Sequence, residues 1–166
     1  MVKKLGDVEA LDLAIKIAAE QHYGQLDKSG QPYIIHPISV MMKMDTIEEK
    51  IVAILHDVVE DTAISIRHLI DMGFSNIVVD AINSISKREF EKSESYYDRV
   101  ISNRIATKVK MADLEHNMSF PRLLTVTKKD LERVKYYHEK WLMLKDRLVN
   151  DFNIYGNSKY NRKGAI

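Results

Sequence analysis

Apolar residues recur at intervals of three and four along most of the chain: Leu11, Ala14, Ile15 and Ala18, then Ile47, Ile51, Ile54, Leu55 and Val58, then Ile101, Ile105, Val109 and Ala112. Side chains at that spacing share one face of a 3.6-residue helix, so the pattern predicts helix after helix. Two β-like runs, Tyr33-Ile34-Ile35 and Ile77-Val78-Val79, are short, and the second lies inside a helical pattern from Ser75 to Ser86. The expectation is an all-α fold. Punctuation separates the helices: Gly24 ends the first, Pro37 suits the first position of the second, and Gly73 terminates a helix running from about Ile66. Ser75 and Thr127 are expected N-caps, because their hydroxyls can take a first-turn N–H.

Between these segments lie two polar stretches. The first, from Gly24 to His36, contains Gly30 and Pro32 and carries Lys28 and Ser29, so it reads as a loop of the kind that holds substrate contacts. The second, from Lys87 to Ser95, reads as a solvated loop, with a substrate lid as the alternative. No periodicity continues past Asn157, so residues 1–156 are expected to form one helical domain, with 157–166 a flexible tail. A length of 166 residues suits one domain with a real core.

Charge and cysteine content narrow the chemistry. Lys and Arg total 25 against 24 Asp and Glu, so no whole-molecule field favours a nucleic-acid polymer or an acidic membrane. An anionic ligand must be held locally. With no cysteine, thiolate metal sites and cysteine nucleophiles are excluded, and a reducing compartment such as the cytoplasm is compatible. The N-terminal segment carries Asp7, Glu9, Asp12 and Glu20 and is neither a signal peptide nor a membrane span.

One group of residues stands out against this background. His56 and Asp57 lie in Ile51-Val-Ala-Ile-Leu-His-Asp-Val-Val-Glu-Asp61, where apolar residues nearly surround a helix and so bury it. Ionisable groups there must be paired, metal-bound or open to a cleft, since burying an unpaired charge costs several kcal/mol, roughly. Glu60 and Asp61 each follow four residues after His56 and Asp57 and share their helical surface. Asp113 ends a second mostly apolar helical stretch, and His36 stands at a helix entrance before Pro37. Imidazole plus carboxylate is a ligand set for a divalent ion such as manganese or iron. His36, His56, Asp57 and Asp113 are therefore candidate metal ligands if they converge. His22, His68, His116 and His138 are read as structural, with His116, one turn from Asp113, the one placed to support a ligand. Tyr136, Tyr137 and Trp141 are expected to pack a C-terminal amphipathic helix against the domain.

Three strings carry a family resemblance: His22-Tyr-Gly-Gln-Leu-Asp-Lys-Ser-Gly-Gln-Pro-Tyr-Ile-Ile-His-Pro37, Ala53-Ile-Leu-His-Asp-Val-Val-Glu-Asp-Thr62 and Val109-Lys-Met-Ala-Asp-Leu-Glu-His-Asn-Met118. They resemble, in order, the signatures of HD-superfamily phosphohydrolases, and more narrowly the hydrolase domain of RelA/SpoT alarmone enzymes and their small single-domain relatives. The resemblance implies an all-α HD-domain helical bundle with one divalent ion, typically Mn2+, on His36, His56, Asp57 and Asp113. It implies Glu60 and Asp61 as the acids that activate water, and Lys28, Ser29 and Asn117 as nucleotide contacts. The implied reaction is hydrolysis of ppGpp at the 3′ position to GDP and pyrophosphate. Two positions depart from the pattern: Asp27 stands where an arginine commonly stacks on guanine, and Leu114-Glu115 replaces the usual Arg-Leu. The alternatives are an HD phosphatase for another nucleotide or a nucleotide sensor without turnover. The expected partner is a small nucleotide; the oligomeric state is left open.

Overall fold

The structure, a computed structural model, describes residues 4–120 and 125–156. The segment read as a tail, 157–166, lies outside the described residues. Among the described residues nine helices run in order: α1 (Asp7–Gln21), α2 (Ile35–Met41), α3 (Ile47–Leu55), α4 (Val58–Asp61), α5 (Ile66–Asp71), α6 (Asn76–Ile85), α7 (Ser93–Ile101), α8 (Arg104–Asn117) and α9 (Lys128–Gly156). Among the described residues the extended pairing is confined to one isolated bridge, Leu26 with Pro32. The all-α expectation holds.

Helix α3 forms the centre. Thr46 accepts the Glu49 N–H at 3.2 Å while Glu49 reaches back to the Thr46 N–H at 3.3 Å, so two otherwise orphaned first-turn donors are satisfied. Its Ile51, Val52, Ala53, Ile54 and Leu55 are all buried, because α1, α2, α6 and α8 pack around it. A helix apolar on every side is stable only when enclosed in this way. Ala10, Ala14, Ile17 and Ala18 of α1 cover one side, Val78, Val79 and Ile82 of α6 another, and Val109 and Leu114 of α8 a third. Helix α9 lies against α8 and inserts Leu144 into the core.

The local signals place most boundaries, with informative shifts. Ser75 accepts the Val78 N–H, and Thr127 exchanges hydrogen bonds with Asp130, so both expected caps form. Gly24 (φ +76°) and Gly73 (φ +92°) take the left-handed conformation that glycine reaches without Cβ strain. The second helix begins at Ile35, two residues before Pro37. Proline is tolerated at its third position, where its missing N–H has no helical acceptor in any case. The stretch from Ile51 to Asp61 is not one helix. The Ala53 carbonyl, which a continuous helix would bond to the Asp57 N–H, is taken by the His56 imidazole at 2.6 Å, and the chain turns at His56-Asp57 before α4. Likewise the periodic run from Ile101 to Ala112 divides at Asn103, whose extended backbone and side-chain bond to the Ala106 N–H (3.0 Å) start α8.

Candidate active site

That turn between α3 and α4 turns the His56-Asp57 pair toward residues of two other helices. His36 Nε2, from α2, lies 3.1 Å from Asp113 Oδ1 of α8 and 3.6 Å from Asp57 Oδ2. His56 Nε2 lies 3.1 Å from Asp57 Oδ2 and 3.8 Å from Asp113 Oδ1. His36, His56 and Asp113 are buried. All four residues singled out in the sequence thus meet, brought together from three separate segments.

The protons on the two imidazoles decide what this cluster can hold. His56 Nδ1 sits 2.6 Å from the Ala53 carbonyl, which only accepts, so Nδ1 carries a proton and the neutral ring presents a lone pair at Nε2. That Nε2 is buried and has no hydrogen-bond partner. His36 Nδ1 is 2.7 Å from His116 Nδ1, so a proton on His36 Nδ1 leaves its Nε2 as a second lone pair. Two nitrogen lone pairs and two carboxylates then face one point, an arrangement that only a shared cation or extra protons can stabilise. Ligands bound at about 2.1–2.2 Å to one ion sit roughly 3 Å apart when adjacent, which fits the 3.1 Å separations. The residues therefore fit a divalent metal centre. Burial disfavours a charged His56, but the Asp57 carboxylate outweighs it and holds the imidazole well above its ordinary pKa. Burial likewise raises Asp57, but the His56 charge overrides it and brings the carboxyl down to about 2. A bound cation would take the place of those protons.

Around the cluster lies a second layer of contacts. Tyr33 Oη donates to Asp57 Oδ2 at 2.5 Å, Asn117 Nδ2 to Asp113 Oδ1 at 2.5 Å, and Lys110 Nζ to Asp113 Oδ2 at 2.8 Å. These donors orient the carboxylates, the function that groups supporting metal ligands perform elsewhere. Burial opposes a negative charge on Asp113, but Lys110 keeps its carboxyl well below the usual range.

His56 is buried behind the other three cluster residues, His36, Asp57 and Asp113, which form part of the wall of a cavity of about 570 Å3. Glu60 and Asp61 line it, as their helical spacing requires: the Asp61 N–H bonds the Asp57 carbonyl at 2.8 Å, continuing one turn past the interruption. Burial raises the pKa of both acids, and the Asp57 charge adds to it. A carboxylate so raised is a better proton acceptor from water than a free one. Lys28 and Asn117 also line the cavity; Ser29 follows Lys28 in the loop but is not part of the wall.

Asp27 has a role that its residue type alone did not announce. Its Oδ1 accepts the N–H groups of Ser29 (2.8 Å) and Gln31 (3.0 Å), so the acid shapes the loop that carries Lys28. The wall residues that the sequence does not single out as site residues include Lys110, Arg133 and Tyr33. For Lys110 a signal existed, a cation three residues before Asp113 in an apolar helix; Arg133 comes from α9, whose docking no local pattern specifies. Tyr137, expected as packing, is half-buried against the core and also forms wall. His116 supports His36 as its place one turn beyond Asp113 suggested. The polar stretch after α6 is anchored at both ends, by Glu60 accepting the Lys87 N–H at 2.8 Å and by the Glu91–Arg99 ion pair. Its Lys87 and Arg88 line an adjoining cavity of about 500 Å3 that shares Glu60. Among the described residues no helix is long and apolar enough to cross a membrane.

An all-α domain with a His/Asp cluster at the base of an open cavity has the architecture of an HD-type metal-binding domain. Comparison places it further. No family model matches the chain. It is 32% identical over 131 residues to a GTP pyrophosphokinase of Myxococcus xanthus, covering 68% of this chain and 17% of that protein. It is 38% identical over 85 residues to a guanosine-3′,5′-bis(diphosphate) 3′-pyrophosphohydrolase of Vibrio cholerae (48% and 12%), and 29% identical over 126 residues to the bifunctional (p)ppGpp synthase/hydrolase SpoT of Escherichia coli (67% and 18%). The chain spans less than a fifth of the length of each of these relatives. A solved structure described as a metazoan ortholog of SpoT that hydrolyzes ppGpp superposes with a TM-score of 0.66 at 21% identity, covering 89% of this chain and 96% of that one. The chain resembles the RelA/SpoT hydrolase domains in sequence and has their all-α fold.

Proposed function

We propose that this chain is a divalent-metal-dependent phosphohydrolase acting on guanosine 3′,5′-bis(diphosphate), releasing pyrophosphate from the 3′ position and leaving GDP. The observation that carries the reading is the convergence of His36, His56, Asp57 and Asp113 at the base of a cavity whose wall also holds Glu60 and Asp61. The relatives named for that hydrolysis support the substrate.

In this reading His36, His56, Asp57 and Asp113 hold the ion, Mn2+ by ligand type. When bound, the ion polarises a phosphoryl oxygen and lowers the pKa of water. The chain's own groups do the rest. Glu60 or Asp61 accepts the proton of the water that attacks the 3′ phosphorus; the bond from that phosphorus to the ribose 3′ oxygen breaks, and the proton taken from water is returned to that oxygen, which leaves as the 3′ hydroxyl. The raised pKa of both acids suits them to take that proton. Lys28 and Asn117 contact the nucleotide from the cavity wall, with Ser29 shaping the loop beside them. The reading sets this centre in the cytoplasm, a compartment with which a chain lacking cysteine is compatible.

A second reading, a phosphatase for another nucleotide, is favoured by one observation: the Asp27 carboxylate is committed to its own loop and supplies no cationic plane for guanine. Turnover of guanosine tetraphosphate with added manganese, products separated by ion exchange, tests the first. GDP and pyrophosphate should appear with the parent and fall by at least about a thousandfold in Asp57→Ala, which removes a ligand. Manganese binding without turnover of guanosine tetraphosphate would transfer the assignment to the second reading.

A further inference from the structure

The cavity wall carries five carboxylates, Asp27, Asp57, Glu60, Asp61 and Asp113, against three cations, Lys28, Lys110 and Arg133. A phosphorylated substrate adds more negative charge, so the placement of each cation matters. Arg133 is engaged by Asp130 of its own helix at 2.9 Å. Lys28 sits on the loop after α1, and Asp130 lies within range of its charge as well. Lys110 differs from both, because it is joined directly to the cluster that would hold the metal.

Its Nζ lies 2.8 Å from Asp113 Oδ2 with the Tyr96 ring centroid 5.6 Å away. Asp113 uses its other oxygen, Oδ1, to face His36 and His56. Lys110 therefore holds the outer oxygen of a candidate ligand while the inner one faces the cluster. An ammonium has three donors; one goes to Asp113, the Tyr96 hydroxyl takes another, and the third is left for a ligand. The side chain keeps 19% of its surface exposed, and Lys110 is part of the cavity wall beside Asp57, Glu60 and Asp113. A cation bound only to stabilise Asp113 has no need of an opening onto the cavity.

We infer that Lys110 is a catalytic residue of the phosphohydrolase proposed above, donating from Nζ to a nonbridging oxygen of the phosphoryl group or of the departing pyrophosphate. The inference rests on that reading for its place in the reaction, but the contact itself requires only a phosphate chain in the cavity. No proton moves to or from Lys110. Its charge balances the negative charge that accumulates on phosphoryl oxygens as the bond to the 3′ oxygen breaks, a favourable use of a fixed cation.

Inorganic pyrophosphate binding to the manganese-loaded protein, measured by calorimetry for the parent, Lys110→Met, Lys110→Gln and Lys110→Arg, separates this role from simple support of Asp113. Methionine keeps the apolar stem; glutamine keeps a donor for Asp113 without the charge, and serves if the methionine variant does not fold. Pyrophosphate should bind about ten- to a hundredfold more weakly in the uncharged variants, the size of one charge-assisted hydrogen bond, and arginine should recover part of it. Manganese affinity, titrated separately, should stay within about threefold, or tighten because a nearby positive charge has gone. Pyrophosphate binding unchanged in Lys110→Gln, or lost only in step with manganese, would overturn the assignment. Weakened pyrophosphate binding in a protein whose parent does not hydrolyse guanosine tetraphosphate would leave Lys110 in place and remove the guanosine reading instead.

Discussion

His36 Nε2 can face the carboxylates as a lone pair only if its other nitrogen keeps a proton, and the contact that holds this proton is His116 Nδ1 at 2.7 Å. Residues that orient a metal-bound imidazole typically change metal affinity ten- to a hundredfold, roughly, when removed. His116→Ala should therefore weaken manganese binding by about that factor with the helical content intact, as titration monitored by electron paramagnetic resonance and circular dichroism would reveal. An unchanged affinity would return His116 to a packing role. At this scale the sequence was legible where several residue types coincided. His36, His56, Asp57 and Asp113 each had ordinary explanations alone, and their order and spacing singled them out. Lys110 carries only a weak signal, a cation three residues before Asp113, and the 2.8 Å contact to that carboxylate is what distinguishes it from other helix lysines.

Between elements, the N-terminus of α3 is tied to α8 by Glu49. The Glu49 carboxylate is buried, bonds the N–H groups of Asp45 and Thr46, and meets Lys108 Nζ at 2.6 Å. Burial works against the charge, but Lys108 and those N–H donors outweigh it and hold the Glu49 pKa below its ordinary 4.5. A carboxyl depressed on folding stabilises the protein above its unfolded pKa, and that contribution is lost as pH falls through the folded value. Glu49→Gln should lower unfolding free energy by about 1–2 kcal/mol near neutral pH. The gap to the parent should narrow as urea melts are taken below pH 4.5; a gap independent of pH would exclude the ion pair as its source. Helix identity was legible from periodicity and caps, whereas the interruption between α3 and α4 was not. Apolar spacing continues straight through it, and the competing acceptor for His56 Nδ1 becomes apparent only once the imidazole is seen on the Ala53 carbonyl.

For the molecule as a whole, the ligand set exists only when α2, α8 and the turn before α4 are docked together, so metal binding is linked to folding. An ion that binds the folded chain alone stabilises it by about 2.7 kcal/mol at a hundred times its dissociation constant. For a domain of this size that corresponds to a rise in melting temperature of roughly 5–10 °C. Calorimetry should show that rise with manganese, its reversal by a chelator, and none in Asp57→Ala. A parent whose melting does not respond to manganese would count against the metal centre.

Fold class, the existence of most helices and the identity of the metal-ligand candidates follow from the sequence by itself, because each depends on spacing within a few turns or on residue types that are costly to bury without a partner. The tertiary structure decided what depends on distance between elements. It brought His116 against His36 and Lys110 onto Asp113, used Asp27 to shape its own loop, and brought Arg133 and Tyr137 from α9 to the cavity wall. Those placements are set by how helices far apart in the chain pack on α3 and α8, and no local pattern encodes that packing.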